Sequence, residues 1–134
     1  MILSRLGVVA LDFIQEKLSD DGCKHSMAVA DIISRVTISE DVIVAGILHD
    51  VLEDTDVTKA ELVKLFGKKI ADLVDEVTHH GQADEHGYYF PNLHSQEAIM
   101  IKLADRLHNL SRMGEWSEER RQAYLKHSKF WREQ

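Results

Sequence analysis

The sequence predicts an all-α, single-domain protein. Apolar residues recur at three- and four-residue spacing along most of the chain, and no stretch alternates apolar and polar residues as a strand would. Turn formers fall in short clusters between these periodic runs, without a repeat, low-complexity tract or linker, and 134 residues suit one core.

Leu3, Leu6, Ala10, Phe13, Ile14 and Leu18 trace a first amphipathic helix that stops before Ser19-Asp20-Asp21-Gly22. A second helix is predicted over about residues 24–36, with His25, Ala28, Val29, Ile32, Ile33 and Val36 on one stripe. Ser39 is the predicted N-cap of the third, and Glu40 and Asp41 favour its positive end. The run 42–52 is apolar apart from His49 and Asp50, so this third helix is expected to be buried all round. Thr58-Lys59-Ala60-Glu61 has capping-box spacing and Gly67 is a natural stop for a fourth. Ile70, Leu73, Val74 and Val77 mark a fifth, expected to close at Gly81. The stretch 81–94 holds the single proline and no sustained period, and reads as a loop or lid. A sixth helix follows over about residues 95–113, and Ser117-Glu118-Glu119 starts a terminal one through Trp131.

Charge and cysteine usage narrow the function. With 16 basic and 23 acidic side chains the formal charge is −7, which argues against broad nucleic-acid binding because that needs a basic footprint. A small anionic substrate stays compatible if bound cations offset the acidity locally. Cys23 is the single cysteine, so no intramolecular disulfide forms and a reducing compartment fits. Cys23 precedes His25 by two residues, the spacing of a conceivable metal thiolate, but a His/Asp set already supplies the ligands. No apolar stretch approaches the ~20 residues that span a bilayer. The N-terminus has no basic region ahead of its apolar part and carries Asp12 and Glu16, unlike a signal peptide, so a cytoplasmic protein is expected.

The chemistry centres on His49-Asp50. An imidazole and a carboxylate buried side by side are costly unless paired or bound to a metal. His25 and Asp105 lie on other helices, and together the four make a plausible hydrolytic metal site. Nitrogen and carboxylate donors suit Mn²⁺, Fe²⁺ or Zn²⁺, and the mixed set without thiolate leans toward an octahedral ion. Such an ion leaves room for water and a phosphate oxygen, polarises the phosphoryl group and acidifies the water. Taken singly, His25 reads as a core histidine and Asp105 as a partly solvated carboxylate; jointly they read as ligands. Glu53 and Asp54 stand four residues after His49 and Asp50, one helical turn on, where they suit a general base or, more plainly, a solvated helix end. Asn109 is one turn after Asp105, where its amide can meet a substrate, and Lys102 and Arg106 flank that helix within reach of phosphates or as solvated surface. His79, His80, His86 and His94 would build a second metal site or else are surface histidines.

The pattern His25, His49-Asp50, Asp105 resembles that of the HD-domain metal-dependent phosphohydrolases. More specifically, HSMAVADI, HDVLEDT, DEVTHH and IKLADRLHNL are similar to the hydrolase domain of RelA/SpoT-type enzymes and the small alarmone hydrolases, over about residues 15–113. The resemblance implies an all-α HD-domain bundle over residues 1–134 that removes the 3′-diphosphate of ppGpp or pppGpp, giving GDP or GTP and pyrophosphate, with Mn²⁺ as cofactor. By that resemblance His25, His49, Asp50 and Asp105 hold the metal. Glu53 and Asp54 match the acidic catalytic pair, Asn109 a nucleotide-contacting asparagine, and Lys17 a basic residue near the base and phosphates. The chain departs from the family at Glu16-Lys17, where Arg-Lys is common, and at Ser111-Arg112, where Arg-Thr is common. The segment between the fifth and sixth helices is also short. These changes touch the nucleotide pocket rather than the metal. No length remains for a synthetase domain, so a stand-alone hydrolase is expected. Two rivals stay open: an HD phosphohydrolase of a deoxynucleoside monophosphate, cyclic nucleotide or NADPH, and a module that binds nucleotide without cleaving it. Trp116, Tyr124, Phe130 and Trp131 are expected to pack the terminal helix onto the core or onto a second copy, as in a homo-oligomer.

Overall fold

The computed structural model describes residues 1–80 and 93–127, and among them every regular element is a helix. In order these are α1 (Arg5–Lys17), α2 (Asp20–Ser34), α3 (Glu40–Leu48), α4 (Val51–Asp54), α5 (Lys59–Phe66), α6 (Lys68–Val77), α7 (Gln96–Arg112), a 3₁₀ turn (Met113–Glu115) and α8 (Glu118–His127). Hydroxyl caps open six of them: Ser4, Ser19, Ser39, Thr58, Ser95 and Ser117 each accept the backbone N–H three residues on.

Helix α3 is the central element and packs against α1, α2, α6 and α7. Val42, Val44, Ala45, Ile47 and Leu48 are all buried, as an apolar-all-round helix requires. Ile14 of α1, Val29 and Ile33 of α2, Ile70 and Val74 of α6 and Ile101 of α7 complete the core around it. The approach of α2 to α3 depends on Gly46, where a Cβ would stand 2.5 Å from Ile33 Cδ1 and 3.7 Å from Ala30 Cα.

Four boundaries differ from the sequence expectation. Helix α2 starts at Asp20, because Ser19 Oγ accepts the Gly22 N–H at 3.0 Å and the turn formers become its first turn. It ends at Ser34, so Val36 lies beyond it, 68% exposed, and the buried face is His25, Ser26, Val29, Ala30 and Ile33. The third helix breaks at His49-Asp50. There the His49 Nδ1–H donates to the Gly46 carbonyl at 2.7 Å and the His49 N–H turns to the same oxygen at 3.4 Å. Asp50 then sits at φ −100°, ψ −3°, in the sparsely allowed bridge region, and α4 begins. Finally, α6 stops at Val77, with Thr78 Oγ1 donating to the Val74 carbonyl at 2.6 Å. Residues 81–92 of the expected loop, His86 among them, and the end of the terminal helix with Phe130 and Trp131 lie outside the described residues.

Gly46→Val forces α2 and α3 apart or Ile33 off its rotamer. The expected cost is about 1–3 kcal/mol, read as a lower urea midpoint at unchanged slope; an unaltered midpoint would show that the interface has room.

Candidate metal centre and catalytic cleft

Three helices deliver the ligand set. His25 lies in the first half of α2, His49 ends α3, Asp50 precedes α4, and Asp105 lies in α7. His25 and His49 are 4% and 3% exposed, buried as ligands to a shielded ion would be. His25 Nε2 is 2.8 Å from Asp105 Oδ1 and 3.8 Å from Asp50 Oδ2. His49 Nε2 is 3.2 Å from Asp50 Oδ2 and 3.5 Å from Asp105 Oδ1. His25, His49 and Asp105 each offer a ligand atom within 4.8 Å of the others.

The His49 ring tests whether these residues fit a cation. Its Nδ1–H is committed to the Gly46 carbonyl, so a neutral ring keeps a lone pair on Nε2. That Nε2 is buried without a hydrogen-bond partner. An unpaired buried acceptor is costly, and a cation relieves the cost. The carboxylates agree. Burial pushes Asp105 up, but the imidazoles of His25 and His49 and the Lys102 ammonium hold it well below the usual carboxylate range. Burial likewise opposes ionisation of Asp50, and His49 outweighs it and holds Asp50 below its ordinary value. For His49, burial disfavours the proton while Asp50 and Asp105 hold its pKa well above the ordinary imidazole value. A cation thus competes with a proton for this ring.

His25, Asp50 and Asp105 open into a cavity of about 410 Å³, lined also by Glu53, Asp54, Lys102, Asn109, Arg112, Trp116, Arg120, Ala123 and Tyr124. The break after α3 leaves the acidic pair at the mouth: Asp54 N–H bonds the Asp50 carbonyl at 2.9 Å, so the one-turn offset survives in α4. Glu53 Oε1 accepts the His79 N–H at 2.9 Å, which ties α4 to the end of α6. Burial, then the Asp50 and Glu53 carboxylates, push Asp54 up to about 6. Lys102 Nζ lies 3.2 Å from Asp105 Oδ2, and although burial opposes its charge, Asp105 and Glu53 raise its pKa. Asn109 Nδ2 reaches Asp105 Oδ1 at 3.2 Å and the Tyr124 hydroxyl at 3.3 Å, and Asn109 Oδ1 accepts from Arg112.

Other candidates fall elsewhere. Lys17 Nζ rests 5.9 Å from the Phe13 ring centre, and the Arg106 guanidinium stands 5.5 Å over Tyr124; neither lines the cavity. Cys23 Sγ donates to the Ile14 carbonyl at 3.2 Å and is not in the ligand cluster. His80 pairs with Asp75 at 2.8 Å, and the backbone N–H groups of His79 and His94 serve Glu53 and Glu76. Among the described residues these histidines join no metal cluster. Sequence reasoning missed His108, whose Nδ1 is 2.7 Å from His25 Nδ1, although its place three residues after Asp105 was a signal. It also treated Trp116 and Tyr124 as packing residues. They meet edge to face at 5.4 Å on the cavity wall, with the Arg120 guanidinium 3.9 Å over Trp116.

A family model described as HD domain matches residues 11–88. The chain belongs to the HD domain family. HD domains of this kind imply a divalent metal, and the His/Asp cluster offers a site for one. Among curated relatives, the GTP pyrophosphokinase of Myxococcus xanthus is 36% identical over 110 residues, 72% of this chain and 14% of that protein. The guanosine-3′,5′-bis(diphosphate) 3′-pyrophosphohydrolase of Spiroplasma citri is 36% identical over 115 residues, 78% of this chain and 15% of that protein. This HD domain therefore spans about one seventh of the length of these relatives. A solved structure, described as a metazoan orthologue of SpoT that hydrolyses ppGpp and plays a role in starvation responses, matches with a TM-score of 0.70. It is 27% identical, over 92% of this chain and 82% of that one. Among the described residues no helix is long and apolar enough to cross a membrane.

His49→Ala removes the candidate ligand whose Nδ1 is tied to the Gly46 carbonyl. Bound divalent metal per chain, counted after gel filtration, should fall from one to none; a retained ion would remove His49 from the ligand set. Asp54 has the opposite cost: its folded pKa exceeds its unfolded one, so its ionisation destabilises the metal-free protein above about pH 6 and not below the unfolded value. Asp54→Asn should raise Tm at pH 8 in chelator and leave it unchanged near pH 3.5, and equal shifts at both values would discard this assignment.

Proposed function

We propose that this domain hydrolyses the 3′-diphosphate of ppGpp or pppGpp to GDP or GTP and pyrophosphate, using Mn²⁺ held by His25, His49, Asp50 and Asp105. The observation that carries the reading is a buried His49 Nε2 without a hydrogen-bond partner beside Asp50 and Asp105, which with His25 line a cavity that also holds an acidic pair and a cationic, aromatic wall. The 3′-pyrophosphohydrolase function of the Spiroplasma citri relative and the ppGpp hydrolysis by the metazoan SpoT orthologue support it.

A divalent cation bound there polarises a phosphoryl oxygen and lowers the pKa of water. The protein's own groups supply the rest. Glu53 and Asp54 orient the attacking water and take its proton, and a carboxyl near pH 6 is suited to a base working near neutrality. The water oxygen bonds to the phosphorus next to the 3′-oxygen, the P–O3′ bond breaks, and the 3′-oxygen is protonated as it leaves. Lys102, Arg112 and Arg120 offset phosphate charge within a chain of net charge −7. Trp116 and Tyr124 offer aromatic faces for a base. Asn109, bonded to Asp105, Tyr124 and Arg112, orders the wall that meets the ribose or phosphate side. A cytoplasmic location belongs to the same reading and agrees with the free Cys23.

The decisive assay is pyrophosphate release from ppGpp by the purified protein, with Mn²⁺ and with chelator. Release that needs the metal and leaves GDP is expected, while Glu53→Gln should keep the bound ion and lose roughly 10²- to 10⁴-fold in rate. Bound metal without release would overturn the alarmone reading in favour of another phosphorylated nucleotide.

A further inference from the structure

The ligand His25 is itself held from behind. Its ring uses Nε2 toward Asp105 and Asp50, and its Nδ1 lies 2.7 Å from His108 Nδ1, with the two ring centres 4.9 Å apart. Two nitrogens at that distance share one proton, so one ring donates and the other accepts. A ligating nitrogen turns its lone pair to the cation, which puts the single proton of neutral His25 on Nδ1. His108 must then accept at Nδ1 and carry its own proton on Nε2. The usual partner of a metal-bound histidine is a carboxylate or a backbone carbonyl, and here an imidazole takes that place.

His108 is well placed for this. It lies on α7 one turn from the ligand Asp105, so the helix that brings one carboxylate to the centre also aims the back of His25. Helices α2 and α7 pack on each other, and this contact joins them through the ligand itself. His108 lines no part of the cavity and touches no place where a substrate would sit. We propose that His108 is the positioning residue of the metal centre, accepting the Nδ1–H of His25 and so fixing the tautomer and ring orientation that present Nε2 to the cation.

This rests on the metal reading above, and the test separates the two. Histidine ring tautomers are read by long-range ¹H–¹⁵N correlation in the unmodified protein loaded with diamagnetic Zn²⁺. The expected pattern is His25 protonated on Nδ1 and His108 on Nε2. Failure of Zn²⁺ to bind the parent would defeat the metal reading, whereas bound Zn²⁺ with His108 protonated on Nδ1 would defeat the positioning role alone. Two variants add the energetic side, with affinity taken from the free-ion signal in a Mn²⁺ titration. His108→Phe, which has no acceptor, should weaken Mn²⁺ binding about 10- to 100-fold. His108→Asn keeps an oxygen near the lost Nδ1 and should recover most of that affinity. Equal Mn²⁺ binding by the parent and His108→Phe would overturn the proposal, as would equal losses in both variants.

Discussion

The hydrogen bond from His49 Nδ1 to the Gly46 carbonyl is the constraint on which the site depends. It draws the side chain back along its own helix and occupies a carbonyl that would otherwise extend the α-helical ladder. The helix ends there, Asp50 turns through a bridge conformation, and a new short helix starts with Glu53 and Asp54 on it. The same bond settles the tautomer, leaving Nε2 bare in a dry place. One interaction therefore stops a helix, aims a ligand and places the acidic pair. Gly46 contributes twice, since its missing side chain lets α2 carry His25 close to α3 while its carbonyl holds His49.

The candidate centre is built of groups whose conflict a bound cation would relieve. Asp50, Asp54 and Asp105 crowd one region with Glu53, and burial, followed by repulsion from Asp50 and Glu53, raises the pKa of Asp54. Lys102 relieves part of this from α7, although it is largely buried, because the carboxylates outweigh its loss of hydration. A protein that only needed stability would replace these groups with apolar ones. Their retention in a cleft beside an aliphatic core fits the stability–activity trade-off of a functional site. The cationic side of the cleft comes from Lys102 and Arg112 of α7 and Arg120 of α8, with the Arg112 and Arg120 guanidinium groups 5.8 Å and 3.9 Å from the Trp116 ring centre.

By itself the sequence determined the helical class, the caps Ser39 and Thr58 and the membership of the His/Asp cluster, because spacing, hydroxyl caps and polar residues in apolar runs are local signals. It could not place the break after Leu48, since periodicity continues through His49-Asp50 while a side-chain bond to the backbone ends the helix. Nor could it separate Asn109 and Lys102, which face the cleft, from Arg106 and Lys17, which do not, because helical rows tell which residues share a face but not what the face meets. His108, Trp116, Arg120 and Tyr124 became site residues only when α7, the 3₁₀ turn and α8 folded back over the ligands. Long-range packing made that decision, since contacts between α2 and α7 join residues some eighty positions apart in the chain.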